Sequence, residues 1–500
     1  MTRFLRSAPH AVFMLLAVYF AVNFLVRMAL PGALERDEAQ QILLSQWLSA
    51  GYDTQPPFYN WLQYGLIRLT GPSVFAISIL KNGMLFAAYL AYGLAARTVL
   101  KDRDLAIIAT LSLLTIPQIA FEAQRDLTHT VAVVFAAALF LYGFLRTLAA
   151  PTALSYLVTG VAIGIGMIAK YNFALLPAAG LLAILFDREW RQRLFDWRLG
   201  LTAAAALVIV LPHALWLLDH LALASGGTMD KLSDGSTGIS SQILEGLLSL
   251  ATAILGFSAV TVAVFAIVFR GDLWKALSAG NRWTALIEAM MAFFLLALLL
   301  LILFAGAAHI KDRWLTPLLL VLPLYLCLKI EAAGLGNALQ LKRFAPIAAA
   351  IMIAVPAILF VRVAAAGLTG DYQKLNVPYD AFARHIAEEG VTPVVILADD
   401  THLAGNLRLQ FPWVPVVSED YAGFAPDVAW SAQAPVMVVW RNEDGSPAEA
   451  PQALLADAAR FGKGRAAAAP DLHRVELPYL YGRDGDRYSF SYAWVYPAAE

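Results

Sequence analysis

Charged side chains are scarce in this chain, and where they occur they gather. Glu35, Arg36, Asp37 and Glu38 open one polar stretch, and Glu122, Arg125, Asp126 and His129 stand in a second. Lys170, Tyr171 and Asn172 form a third, and His309, Lys311, Asp312 and Arg313 a fourth. A carboxylate can take the proton of an attacking hydroxyl, and lysine or arginine can neutralise charge on a departing phosphate, so the set suits group transfer by direct displacement. One base without a separate nucleophile serves a single in-line attack, which inverts the reacting carbon. Each residue also has an ordinary reading, as an interface anchor or a snorkelling cation. For Asp37 that reading is a helix N-cap, with Gln40 completing a capping box.

The elements that must position these groups are membrane helices. The chain has 500 residues, 60% hydrophobic and 15% charged, with a mean hydropathy of +0.64. Apolar runs long enough to span a bilayer follow one another through the first 365 positions, giving about eleven helices near 9–30, 74–96, 104–121, 127–146, 154–169, 173–186, 199–218, 242–269, 284–308, 314–329 and 344–365. Alternating sides, one set of loops carries sixteen lysines and arginines and the other seven, which places the amino terminus in the cytoplasm. The first run is too long for a signal-peptide core and no small-x-small cleavage site follows, so it reads as an uncleaved helix.

All four polar stretches then fall on the outer face. The first outer loop, 31–73, carries apolar residues at helical spacing after Asp37, a Gly51-Tyr52 pair and Pro56-Pro57, the pattern of two short amphipathic helices on the membrane surface. Beyond residue 370 short β-branched runs at 394–397, 414–417 and 436–439 alternate with helix-like stretches at 378–389, 401–410 and 450–461, and 473–495 reads as a terminal hairpin. The expected organisation is a polytopic α-helical membrane module over 1–369 and a small extracytoplasmic α/β domain over 370–500.

Several classes fit poorly. The balance of 36 basic and 37 acidic residues argues against a nucleic-acid partner. A transporter, or an assembly scaffold with an outer sensor domain, is the rival class; a transporter should carry ionisable clusters near the bilayer midplane, where this chain places few. Cys327 is the single cysteine, so no intrachain disulfide forms. No phosphate-binding glycine motif occurs. His309 and its acidic neighbours leave a divalent metal as an option, but no spacing matches a known metal motif. An outer-face site has no nucleoside triphosphate at hand, so an activated group must arrive on a membrane carrier such as a polyprenyl phosphate. The partners expected are that donor, a lipid or glycolipid acceptor, and the membrane.

Arg36-Asp37-Glu38-Ala39, Gly51-Tyr52 with Pro56-Pro57 and Trp61-Leu62, Arg125-Asp126-Leu127 and Ala169-Lys170-Tyr171-Asn172 together resemble the bacterial glycosyltransferases of family 39/83. The resemblance covers roughly residues 10–330 and is strongest over 34–66. It implies the GT-C fold and a polyprenyl-phosphate sugar donor, in a group that includes protein O-mannosyltransferases and the aminoarabinose and galacturonic acid transferases of lipid A and lipopolysaccharide core. It makes Asp37 the acid nearest the reacting centre, with Glu38 beside it and Asp126 the second-loop acid. Lys170, Lys311 and Arg313 become candidates for the carrier phosphate, with Tyr52, Arg125, Tyr171 and His309 as further substrate contacts. Aminoarabinose transferases have Glu-Lys before the first-loop proline, where this chain has Thr54-Gln55. That departure points to a neutral or acidic sugar instead.

Overall fold

The computed structural model describes residues 1–221, 239–421, 424–441, 450–461 and 467–498. Among them, seven helices are long and apolar enough to cross a membrane: Ala11–Ala29, Val74–Val99, Thr128–Ala149, Leu199–Asp219, Ser241–Phe269, Arg282–Ala305 and Ala338–Ala364. The pair Arg103–Thr115 and Gln118–Arg125, bent by 69°, makes an eighth if it is one broken span. The protein is therefore a multi-pass membrane protein. The count falls below the expected eleven because three apolar runs do not form long helices. Ala153–Met167 has 15 residues and Leu175–Leu185 has 11. The run near 314–329 is broken into Thr316–Leu319 and Leu322–Ala332, with Pro317 and Pro323 in their first turns, where a missing N–H costs least.

Compactness divides the chain into two interleaved units: Met1–Val22, Ala50–Tyr59 and Lys81–Val355 form the first, and Asn23–Ser49, Asn60–Leu80 and Pro356–Glu500 the second. Asn23–Ser49 and Asn60–Leu80, which include most of the first loop, thus fall in the same unit as the tail. In the first unit Thr128–Ala149 is the most enclosed span, 78% of its window being buried. Ala153–Met167 packs against both this helix and Leu199–Asp219. At Gly160 a side-chain carbon would lie 2.4 Å from the Thr202 carbonyl oxygen, so glycine permits the close backbone approach on which membrane helix packing depends.

The second unit is built on a five-stranded sheet. Its strands are β1 Val395–Ala398, β2 Val416–Ser418, β3 Val436–Trp440, β4 Asp471–Pro478 and β5 Arg487–Val495, in the order β2-β1-β3-β5-β4. β1 runs parallel to β2 and β3, whereas β5 is antiparallel to β3 and β4. β1 and β3 are buried along their whole length and read as unbroken apolar runs, as strands covered on both faces must. Val395, Leu397, Val436, Val438 and Trp440 pack with Leu454 and Ala458 of the helix Gln452–Arg460. On the other face, Trp494 Nε1 donates to Glu389 at 2.9 Å, beside the helix Tyr379–Glu388.

Candidate functional site

The first-loop helix runs Arg36–Leu44, and its cap is Glu35 rather than Asp37. Glu35 and Glu38 form the reciprocal capping box, the Glu35 N–H donating to Glu38 Oε2 at 3.3 Å. Glutamate is an unusual choice for that position, and here each acid meets an arginine from the end of a membrane span. Arg362 pairs with Glu35, and Arg27 pairs with Glu38 at 3.0 Å. Glu38 is fully buried in this arrangement. Asp37 belongs to neither pair, stays half-buried, and sits in the first turn, where the helix dipole favours a carboxylate.

This helix is seated on the tail. The Leu34 N–H donates to Asn406 Oδ1 at 2.8 Å, and the Leu34 carbonyl accepts from His402 Nε2 at 2.7 Å. His402 and Asn406 lie one turn apart on the helix Thr401–Gln410, so one face grips both polar groups of a single peptide residue. A carbonyl only accepts, so His402 carries its proton on Nε2 and its Nδ1 receives Arg441 Nη1 at 3.0 Å. Arg441 is held in turn by Asp400 and gives its own N–H to Asp399 Oδ2 at 3.0 Å. Further along, the Gln46 amide donates to the Val416 carbonyl at 2.8 Å and accepts the Val416 N–H at 2.9 Å, closing the edge of β2. Trp47 stacks on Phe424 at 4.3 Å.

Burial and the neighbouring Arg441 push His402 down to about 4, while burial, with Asp400 alongside, pushes Asp399 up to about 6. The two act oppositely on stability. Neutral His402 contributes stability that is complete above its ordinary value near 6.5 and is lost as pH falls toward 4. Protonated Asp399 contributes stability that is complete below its ordinary value near 3.8 and is lost as pH rises through 6. Asp399→Asn should therefore make thermal stability fall more steeply on acidification from pH 7 to 4 than in the wild type. His402→Gln should flatten that fall. Identical slopes in a thermal-shift series over this range would rule out the buried arrangement.

The remaining predicted residues lie in the first unit. Gln118–Glu122 forms one π-helical turn at the bend, and Leu127, directly after Asp126, adopts a left-handed conformation with φ of +55°. Such strain is uncommon in a leucine and is found preferentially at functional sites. Asp126 is buried, its N–H bonded to the Glu122 carbonyl at 2.9 Å. Arg125 makes a half-exposed ion pair with Glu122 at 2.7 Å.

Hydrogen bonds fasten the other loops of this unit to one another. Lys170 Nζ lies 3.5 Å from Thr130 Oγ1, and the Asn172 amide donates to the Trp314 carbonyl at 2.7 Å. Gln118 donates to Asp312 at 2.5 Å. The Phe58 N–H reaches the Ile168 carbonyl at 2.9 Å, which ties the stretch holding Tyr52 to the stretch before Lys170. His213 Nδ1 donates to the Ala50 carbonyl at 2.8 Å, so its Nε2 accepts the Tyr171 hydroxyl at 3.1 Å. Tyr171 is thereby a strut for the loop at Ala50–Tyr52. Lys311 and Arg313 differ: among the described residues neither side chain has an ion-pair or hydrogen-bond partner, although their backbone is pinned by Ser249 bonds to Ile310. His309 is exposed, and among the described residues no three His, Cys, Asp or Glu side chains converge as metal ligands.

Sequence reasoning missed Arg27, Arg362, His402, Gly405, Asn406 and Arg441. Only the i, i+4 spacing of His402 and Asn406 hinted at a shared face, and nothing local said what that face would hold.

A multi-helix membrane unit with charged loops, together with a small mixed sheet, defines the GT-C architecture of membrane glycosyltransferases. Solved structures agree: ArnT from Cupriavidus metallidurans bound to undecaprenyl phosphate matches with a TM-score of 0.62 at 14% identity, covering 97% of this chain and 98% of that one. Its apo state matches at 0.58 and 15% identity, covering 96% and 97%. The sequence model of dolichyl-phosphate-mannose-protein mannosyltransferases matches residues 54–216. The chain is 53% identical over 486 residues to the lipopolysaccharide core galacturonosyltransferase RgtB of Rhizobium johnstonii, covering 97% of each chain. It is 47% identical over 488 residues to RgtA of the same organism, again covering 97% of each. The chain belongs to the glycosyltransferase family that contains these two proteins.

Proposed function

We propose that this protein transfers a galacturonosyl residue from a polyprenyl-phosphate donor to a lipopolysaccharide core acceptor at the outer face of a bacterial inner membrane. The observation that carries the reading is the 53% identity along 97% of the chain to a lipopolysaccharide core galacturonosyltransferase. Thr54-Gln55, in place of the Glu-Lys of aminoarabinose transferases, speaks against aminoarabinose and for a neutral or acidic sugar. Asp37 is the general base. The acceptor hydroxyl oxygen attacks the anomeric carbon, its proton passes to Asp37, and the bond from that carbon to the phosphate oxygen breaks with its electron pair on the carrier phosphate. A single displacement inverts the anomeric centre. Lys170, Lys311 and Arg313 hold the phosphate and take up the charge it gains. The test is to give membranes a panel of radiolabelled polyprenyl-phosphate sugars and follow which label reaches lipopolysaccharide core. Galacturonate should move; transfer of another sugar alone would overturn the assignment.

The loop charge bias supports a cytoplasmic amino terminus and a periplasmic tail. Alkaline phosphatase fused after residue 500 should be active, and an inactive fusion paired with an active cytoplasmic reporter would reverse this orientation.

The cations separate binding from chemistry. Replacing Lys170, Lys311 or Arg313 by alanine removes a charge-assisted contact, so donor use should weaken by roughly 1.5–3 kcal/mol, with the acceptor affected much less. Part of the loss should fall on turnover, because the phosphate gains charge as it leaves. Arg313→Lys keeps the charge but loses the two-pronged grip and should recover only part. Donor titrations at saturating acceptor that are unchanged in all three alanine variants would remove the assignment.

A further inference from the structure

Where the ends of several membrane helices meet, a cavity of about 240 Å³ is lined by Arg97, Lys101 and Arg103 above a wall of Val12, Leu100 and Ile107. Arg97 lies in the last turn of Val74–Val99, Arg103 opens the helix Arg103–Leu111, and Lys101 sits between them. All three cations are exposed at the cavity rim, and no carboxylate is among its lining residues.

The nearby acids are committed elsewhere. Asp102 caps the helix through the N–H groups of Asp104 and Leu105, at 2.8 and 3.2 Å. Asp104 pairs with Arg6, and Glu331 accepts the N–H groups of Lys101 and Asp102 at 2.8 and 2.7 Å. Other cations of the same loop set do find carboxylates: Arg198 with Asp196 at 2.6 Å, Lys329 with Glu288 at 2.7 Å, and Arg282 with Asp187. Among the described residues the Arg97 and Lys101 side chains have no such partner, and Arg103 has only the Leu5 carbonyl at 3.4 Å.

Three like charges around one small cavity repel one another unless an anion neutralises them. At the end of a membrane span the anion at hand is the phosphodiester of a lipid headgroup. The volume suits a headgroup and not a whole lipid. We infer that Arg97, Lys101 and Arg103 form a binding site for the phosphate of an anionic glycerophospholipid, whose headgroup enters the cavity while its chains stay outside it. The site is separate from the residues assigned to sugar transfer and does not depend on that assignment.

The test uses the purified full-length protein in a neutral detergent, with thermal unfolding and native mass spectrometry as readouts. Phosphatidylglycerol should bind saturably and raise the unfolding temperature, whereas phosphatidylcholine of the same chains and inorganic phosphate should do neither. Each cation near such a headgroup contributes about fivefold, so the triple variant R97Q/K101Q/R103Q should weaken phosphatidylglycerol binding by roughly 10²-fold. A second triple, R188Q/K275Q/K342Q, removes the same charge from exposed positions and should bind like the wild type. Equal loss in the two triples would reduce the effect to general surface charge, and an equal shift from inorganic phosphate would make the site one for the free anion; either overturns the inference. If the first triple does not fold, R97Q and R103Q singly should each lose about fivefold in lipid retained by mass spectrometry, and full retention in both overturns it equally.

Discussion

Asp37→Asn is expected to leave the protein folded and to slow sugar transfer by roughly 10²–10⁴-fold, the usual loss when a general base is removed. Structure makes this variant cleaner than the sequence did. Had Asp37 been the cap, asparagine would have served nearly as well, and any change in stability would have been small for that reason alone. The cap is Glu35, and the buried ion pairs of the first turn belong to Glu35 and Glu38. Asparagine at Asp37 keeps the size and shape of the side chain while removing its charge, worth about 0.3–1 kcal/mol at the helix dipole, and the proton acceptor. Turnover measured in membranes, beside a thermal-unfolding curve of the purified variant, separates the two. Wild-type turnover would end the catalytic assignment. A Glu38→Gln control should behave in the opposite manner, since it strips Arg27 of its buried partner and should cost about 3–5 kcal/mol of stability.

Gly405→Ala should be the most damaging small substitution in the tail. On propensity alone it would stabilise the helix Thr401–Gln410 by about 1 kcal/mol, because glycine is a poor helix former. Against that, the added carbon would lie 2.1 Å from the Ala39 carbonyl oxygen and 2.4 Å from its carbonyl carbon. Both are backbone atoms within a helix, so neither can swing aside. Forcing the helices apart costs about 1–3 kcal/mol or more and also stretches the bonds from His402 and Asn406 to Leu34. The sign of the effect therefore reverses from stabilising to destabilising. Amide hydrogen exchange over 34–46 should accelerate, and transfer should fall because Asp37 rides on that segment. A variant as stable as the wild type, with unchanged exchange, would show that the two helices are not in contact.

The first three tail strands were legible as short apolar runs, the trace of a strand buried on both faces, and the last two as an alternating hairpin. The two first-loop helices were legible from apolar spacing, and both are present, as Arg36–Leu44 and Phe58–Thr70. Span number was over-read, because hydropathy records apolar length but not the proline breaks and short turns that cut the runs near 314–329 and 154–186. The cap was misplaced for a different reason. Local rules favour aspartate, and only the arrival of Arg362, 327 positions away, makes Glu35 the better choice. The bond from Leu34 to Asn406 spans 372 positions, and no periodicity encodes a partner at that distance. Lys170, Lys311 and Arg313 stood out as candidates because charge at a membrane interface is conspicuous. Struts such as Gln118 and His213 were not, because a polar side chain that holds a loop looks like any other.

Because the acid-bearing helix is seated on the sheet-containing unit, inheritance and engineering of this enzyme must follow a discontinuous cassette. Exchanging 356–500 alone for the corresponding stretch of a relative would set a foreign helix against Leu34 and Ala39 and leave Glu35 facing an unfamiliar span end. A productive chimera has to carry 23–49 and 60–80 with it, three pieces of chain transplanted as one part. Substitutions at Ala39 and Gly405 should likewise have been accepted in pairs as the family diversified.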